Sequence, residues 1–304
     1  MNKKTAGISV IICSRDPALC ENVKSCIAET IGVEFEIIAF DNRAVNWGIC
    51  KVYNHCAETA VYPYLCFIHE DINITTNGWG AALIKFAEET PNCGAIGIAG
   101  GTTAYRNFMS WCDSIANNDA RFRYWDAHCG GSGSQTAPVL KSYNPDNARF
   151  TKAVTLDGCF LFAAKDICAK KPFDEDTFPG FHFYDADFTF KIAQVKQNYV
   201  CCQIDLYHFS RGILNGEYFR DVKKFQIKWK DKLPVTVENK KISAKRELHL
   251  AGAYIVACLR TDAFGCFESV SHSIKLNGYL FFVKSVFHSC IYQIFKKLGF
   301  MKTV

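Results

Sequence analysis

The sequence has no Cys-x-x-Cys pair, although it carries 16 cysteines. A thiolate zinc centre needs such close pairs, so that class is excluded. The cysteines are scattered among apolar neighbours (Cys13, Cys20, Cys26, Cys50, Cys56, Cys66 and onward). They read as reduced core residues, because free cysteine packs as a small hydrophobe. A strong charge of either sign is also missing: 35 basic against 30 acidic residues leave +5, too mild a footprint for nucleic acid. The first apolar run, Ile8 to Cys13, is too short for a signal-peptide core or a membrane span. A phosphate-binding glycine loop is absent as well. Ser14-Arg15-Asp16-Pro17 stands where a nucleotidyltransferase would carry one, and Gly94, Gly97, Gly100 and Gly101 fit neither the P-loop nor the dinucleotide spacing. Those glycines read as tight packing after a strand. A cytoplasmic protein without a nucleic-acid partner is expected.

With 304 residues, 49% of them hydrophobic and 14% aromatic, the chain has apolar mass for one large domain, or one domain and a small appendage. Short β-branched runs alternate with helix-like stretches: Ile8 to Cys13 then Pro17 to Thr30, Phe35 to Phe40 then Trp47 to Ala60, Tyr64 to His69 then Trp79 to Thr90. This alternation predicts an α/β fold with a mostly parallel sheet. Pro17 suits a first helical turn, and Gly32 sits where a C-terminal cap belongs.

After Ala95 to Ala99 the periodicity fades, and about residues 100–152, with Gly130-Gly131-Ser132-Gly133-Ser134, read as a loop-rich, partly mobile insertion. A strand over Val154 to Ala164, a helix over Phe183 to Gln197 and a strand over Tyr199 to Ile204 follow. Glu217 to Arg246 is lysine-rich and helical in part, with Lys223, Lys224 and Lys228 on a solvated face or facing anionic lipid. Tyr279 to Leu298 forms an amphipathic stripe interrupted by Lys284, His288 and Gln293, which suits a helix packed on its own domain or lying in a membrane surface.

Parallel α/β sheets bind ligands at the carboxyl ends of strands. Four polar groups stand there: Ser14-Arg15-Asp16, Asp41-Asn42-Arg43, His69-Glu70-Asp71 and His208. Two carboxylates and an imidazole at one strand end suit Mn²⁺ or Mg²⁺; the plain alternative is a solvated loop with a helix cap.

Asn46-Trp47-Gly48, then Tyr53-Asn54, then Tyr64-Leu65-Cys66-Phe67-Ile68-His69-Glu70-Asp71 resembles the family 2 glycosyltransferases, whose pattern runs Asn-x-Gly, a helix bearing Asn, then an apolar strand into Asp-x-Asp. Leu156-Asp157-Gly158-Cys159-Phe160 looks like that family's acceptor strand, and Phe183-Tyr184-Asp185-Ala186-Asp187-Phe188 resembles its Glu-Asp motif. The likeness covers roughly residues 8 to 212. His69, Gly94-x-x-Gly97-x-x-Gly100 and Phe181 to Asp185 bring it closest to the glycosyltransferase-like group that includes a streptomycin-biosynthesis branch.

The resemblance implies a three-layer α/β/α fold of the GT-A type over about 1–235, with a helical C-terminal region over 236–304. It implies a donor site for a nucleoside diphosphate sugar, a UDP-sugar by family habit, made by Ser14, Arg15, Asp41, Asn42, Asn54, His69 and Glu70. Asp71 and His208 would hold Mn²⁺ or Mg²⁺, with His69 in place of the usual first aspartate. Asp185 would be the base of an inverting transfer to a glycan or lipid-linked acceptor, with peripheral membrane contact through the C-terminal helix. Asp187 points about 200° away around a helix, so only one of the two carboxylates should face the cleft. Asp157, Asp187 and Trp111 are the acceptor-side candidates; Trp111 would stack on a sugar ring or serve as an ordinary half-buried aromatic. The competing expectations are a degenerate domain that binds nucleotide sugar or glycan without turnover and a sugar nucleotidyltransferase.

Overall fold

The computed structural model describes residues 6–117, 119–127, 137–210, 212–237, 241–261, 263, 266–278 and 281–285. The chain opens β1 (Ile8–Ser14), α1 (Pro17–Thr30), β2 (Phe35–Asp41), α2 (Ile49–Thr59), β3 (Tyr64–Ile68), β4 (Ile72–Ile74), α3 (Trp79–Glu89) and β5 (Cys93–Gly97). Short strands follow: β6 (Ala99–Gly101), β7 (Thr103–Ala104), β8 (Ala120–Asp126), β9 (Val139–Tyr143), β10 (Phe150–Ala153), β11 (Thr155–Leu156) and β12 (Phe160–Ala164). The rest is α4 (Lys165–Lys170), α5 (Tyr184–Ala193), β13 (Gln197–Cys201), β14 (Leu206–His208), α6 (Gly216–Trp229), β15 (Val235–Thr236), α7 (Ala244–Arg260) and α8 (Cys266–Asn277).

Seven strands form the main sheet in the order β10-β13-β5-β12-β3-β1-β2. β2, β1, β3, β5 and β13 share one direction, while β12 and β10 run against them. Alternation within β1 divides the core. Ile8, Val10 and Ile12 join Val23 and Ile27 of α1 and Trp79 and Leu83 of α3 on one face. Ile11 faces the other layer with Val52 and Tyr53 of α2, Phe188 of α5 and Phe225 of α6. Helices on both faces of one sheet give the expected three layers. Each fully buried side chain of Val, Leu or Phe size contributes roughly 1.5–3 kcal/mol.

Local chemistry sets the element ends. Asp16 caps α1 by accepting from the Ala18 and Leu19 amides, with Pro17 in the first turn. Gly32 ends that helix at φ +71°, where a Cβ would lie 2.7 Å from the Gly78 Cα. The glycines of the 94–101 stretch are packing positions: a Cβ on Gly94 would meet Asn198 Oδ1 at 2.6 Å, and one on Gly100 the Thr155 carbonyl at 2.4 Å. Of the thirteen cysteines whose side chains are described, ten are buried.

Part of the stretch expected to be loop-rich, about residues 100–152, is strand. β11, β6, β8, β14 and β4 form a second sheet, with β9 paired to β8. Phe122 and Tyr124 of β8 alternate with Arg121 and Arg123, the period of two of a half-buried strand. Gly130 to Ser134 lies outside the described residues, as does the amphipathic C-terminal helix beyond residue 285. Three of the lysines offered to lipid are paired within the protein: Lys223 with Glu268, Lys224 with Asp221, and Lys228 with Asp174. Among the described residues no helix is long and apolar enough to cross a membrane.

Candidate active site

The turn between β3 and β4 carries His69, Glu70 and Asp71 from the main sheet into the second. Two ladders hold it. The His69 amide donates to the Cys159 carbonyl at 3.1 Å, beside the Phe160–Ile68 register of β12 and β3. On the other side His208 stands opposite Ile72 in the β14–β4 pair, and the Phe209 amide donates to the Asp71 carbonyl at 3.0 Å. Strand pairing therefore brings residues 71 and 208 together across the chain.

Asp71 lies between two imidazoles, with His69 Nδ1 and His208 Nε2 each 3.7 Å from its carboxylate. One donor atom from each of the three side chains falls within 4.8 Å of the others. These side chains are 16–20% exposed, so an ion can reach them from solvent. Two nitrogens and an oxygen suit Mn²⁺ better than the all-oxygen preference of Mg²⁺. His69 Nε2 lies 2.6 Å from the Tyr184 hydroxyl, which directs Nδ1 toward Asp71. Burial holds the His69 pKa below its usual value, and the neutral ring is the form that ligates.

Glu70, expected at the ribose or the metal, turns to the other side. Its carboxylate accepts from Ser14 Oγ at 2.7 Å, from the Arg15 amide at 3.0 Å and from the Asp16 amide at 3.1 Å. With three donors from the residues just before α1, Glu70 is a clasp between the metal turn and the β1–α1 loop. Ser14 and Arg15 lie on that loop. Asp41 is beside them, because Ser14 pairs with Asp41 in the β1–β2 register. Its carboxylate is exposed and grips Arg43 at 2.6 and 2.9 Å, which lowers its pKa to about 2.

The other two donor-side candidates bond to backbone. Asn42 exchanges hydrogen bonds with the Trp47 backbone at 2.7 and 2.8 Å, and Asn54 does the same with Phe173 at 2.9 Å. Each side-chain amide thus shapes a loop: Asn42 is buried, while Asn54 is half-buried and keeps one N–H and one lone pair beyond its two bonds to Phe173.

Asp185 sits in the first turn of α5. Phe183 precedes that helix at φ +61°, a left-handed conformation rare for a bulky residue, and is buried in the core. The turn presents Tyr184 and Asp185 to Gly158. A Cβ on Gly158 would lie 2.1 Å from the Tyr184 hydroxyl and 2.9 Å from Asp185 Cβ. Burial, and then the nearby Asp157 carboxylate, push the Asp185 pKa up to about 7. Asp157 behaves oppositely: burial works against its charge, but His208, the Cys159 amide at 2.9 Å and Trp111 Nε1–H at 2.7 Å outweigh it and lower its pKa.

Asp187 is 1% exposed and does not face this site. It accepts from Trp229 Nε1 and Lys228 Nζ of α6, both at 2.8 Å. The helical spacing that turned it from Asp185 delivered it to a buried ion pair, so it is withdrawn from the acceptor side. Trp111 is 8% exposed and packs on Phe122, so its indole serves as a hydrogen-bond donor to Asp157 and not as an open stacking face. Sequence reasoning assigned no role to Tyr184, although its place before Asp185 was the available signal.

A family model described as Glycosyltransferase like family matches residues 9–211. The chain belongs to this glycosyltransferase family. Its three-layer architecture is of the GT-A type, as the motifs implied. No curated protein sequence matches this glycosyltransferase-like chain. Among solved structures, residues 1–349 of S. aureus TarS align with a TM-score of 0.48 at 12% identity, covering 89% of this chain and 88% of that one. GalNAc-T7 with UDP, GalNAc and Mn²⁺ aligns at 0.49 and 9% identity, covering 89% of this chain and 57% of that one.

Proposed function

We propose that this protein transfers a sugar from a nucleoside diphosphate sugar, a UDP-sugar, to an acceptor hydroxyl with inversion, in the synthesis of a glycan or polysaccharide. One observation carries the reading. Asp185, with a pKa near neutrality, stands beside Gly158 on the flank of the His69–Tyr184 pair. A carboxyl in that state accepts a proton at working pH more effectively than an ordinary aspartate, which is a weaker base.

Asp185 takes the proton from the acceptor hydroxyl as its oxygen attacks the anomeric carbon from the face opposite the diphosphate. Asp157 keeps its charge and its orientation through Trp111 and Cys159, and offers the acceptor a fixed hydrogen-bond acceptor. The β1–α1 loop, closed by Glu70, and the Asp41 strand end form the nucleoside side. His69, Asp71 and His208 would hold Mn²⁺, whose charge would stabilise the leaving diphosphate.

The test is a panel of nucleoside diphosphate sugars with Mn²⁺, followed by sugar transfer, donor hydrolysis and protection from thermal unfolding. Turnover of one donor supports the reading. Stabilisation without turnover, even with glycan acceptors present, would replace it with a binding module. Asp71→Ala should abolish metal-dependent protection, and unchanged protection would move the metal elsewhere.

A further inference from the structure

The segment from Arg106 to Asp113 is held by side chains that come from the C-terminal helices. Glu247 of α7, 7% exposed, accepts the Arg106 amide at 2.7 Å, the Asn107 amide at 3.2 Å and Asn107 Nδ2 at 3.1 Å. Asn277 of α8 exchanges side-chain amide bonds with Asn107 at 3.0 and 2.9 Å. From α6, Gln226 donates to the Phe108 carbonyl at 3.1 Å and the Tyr218 hydroxyl donates to the Met109 carbonyl. Arg246 of α7 donates to the Asp113 carbonyl. The segment turns its backbone groups to the three helices much as a bound peptide would.

That segment reaches the acceptor side through one contact, the 2.7 Å hydrogen bond from Trp111 Nε1 to Asp157 Oδ2. Asp157 in turn accepts the Cys159 amide, and Gly158 between them is closed over by Tyr184 and Asp185. α6, α7 and α8 lie beyond the residues matched by the family model, which end at 211. The matched residues therefore do not include the helices that hold 106–109 and 113 on either side of Trp111, whose ring packs on Ala99, Ala120 and Phe122 of the second sheet.

We infer that the C-terminal helices complete the acceptor side of the site: Glu247 clamps 106–113, and Trp111 passes that constraint to Asp157. Glu247 and Trp111 are positioning residues, and the inference rests on the acceptor-side role proposed for Asp157. It places acceptor recognition under the control of a region outside the family core.

Amide hydrogen exchange on the full chain, without any sugar present, tests it directly. Glu247→Gln should speed exchange of the 106–113 amides and of the Cys159 amide by about tenfold or more. Trp111→Phe should speed exchange at Cys159 while Arg106 and Asn107 keep their protection. In both variants the Ser14–Asp16 and Ile68–Asp71 amides should exchange as in the wild type. Unchanged exchange at Cys159 in both variants, or equal loosening of the donor side, would overturn the inference. If Glu247→Gln does not fold, Trp111→Phe decides alone. With an active donor in hand, both variants should raise the acceptor KM about tenfold or more and leave the donor KM unchanged. A wild type that turns over no donor would remove the reaction proposed above, while the exchange experiment would still decide the positioning.

Discussion

The Tyr184 hydroxyl and the Nε2 atom of His69 stand 2.6 Å apart, and that pairing decides which nitrogen of His69 is offered to Asp71. Burial raises the Tyr184 pKa well above its usual value, so the phenol keeps its proton. Tyr184→Phe should leave the ring packing intact and weaken Mn²⁺ binding by about 10–100-fold, the cost of losing a ligand's orienting partner. Calorimetric titration with Mn²⁺ checks this. An unchanged affinity would remove His69 from the ligand set.

The raised pKa of Asp185 gives a signed pH dependence. Transfer should rise with pH through about 7 and level off above it, because the base works ionised. Asp157→Asn removes the neighbouring like charge and should move that limb to lower pH. Asp185→Asn should lower kcat by about 10²–10⁴-fold with donor binding retained. Rate profiles over pH, with the donor saturating, distinguish these outcomes.

The same group carries a stability signature of known sign. Folded Asp185 holds a proton that the unfolded chain releases between 3.8 and about 7, so its contribution to stability falls as pH rises through that window. Asp185→Asn removes the burial penalty. Its Tm should exceed that of the wild type near pH 8, with the difference vanishing near pH 4. Thermal melts at the two pH values measure it, and a Tm loss at both would mean the Asp185 carboxylate is favourably paired.

Asp187→Ala separates structure from chemistry. It strips Lys228 and Trp229 of a partner that is 1% exposed, while Lys228 keeps Asp174, and should cost about 1–3 kcal/mol in urea unfolding. Transfer per folded molecule should fall less than about tenfold, against the loss of 10²-fold or more expected at Asp185. A loss as large as that of Asp185→Asn would return Asp187 to the site.

Gly158→Ala tests the closeness of the two halves. The new methyl would lie 2.5 Å from Tyr184 Cζ, and that ring is already packed against Tyr53 and Phe173. Tyr184 must withdraw from His69, and displacement of about 1 Å at such a centre costs on the order of 10²-fold in rate. Initial rates beside a far-ultraviolet spectrum of the folded protein measure the effect; a rate near wild type would show that the Tyr184–His69 contact is dispensable.

What could be read from the chain followed the reach of each interaction. The alternation of short strands with helices, the caps at Pro17 and Gly32, and the strand ends at His69 and His208 are local signals, and each held. The opposite facing of Asp185 and Asp187 came from helical geometry alone. What escaped depends on partners distant in sequence. Asn42 and Asn54 look like binding residues until the backbones of Trp47 and Phe173 occupy their amides. Glu70 looks like a ligand until the β1–α1 loop turns its amides to it. The second sheet was legible only in the alternation of Arg121, Phe122, Arg123 and Tyr124 in β8, because β4, β6, β11 and β14 have two or three residues each and show no period. The aspartates at 157 and 185 share a burial that no local pattern records.

The turn from His69 to Asp71 is also a joint between two sheets. His69 ends the larger one, while Asp71 begins the smaller one and meets His208 of its neighbouring strand. The two sheets share one apolar layer there, with Ile68 and Phe160 of the larger packed in the same cluster as Ile72, Ile74 and Leu206 of the smaller, so an ion seated at the joint would act as a rivet through a seam that is already closed.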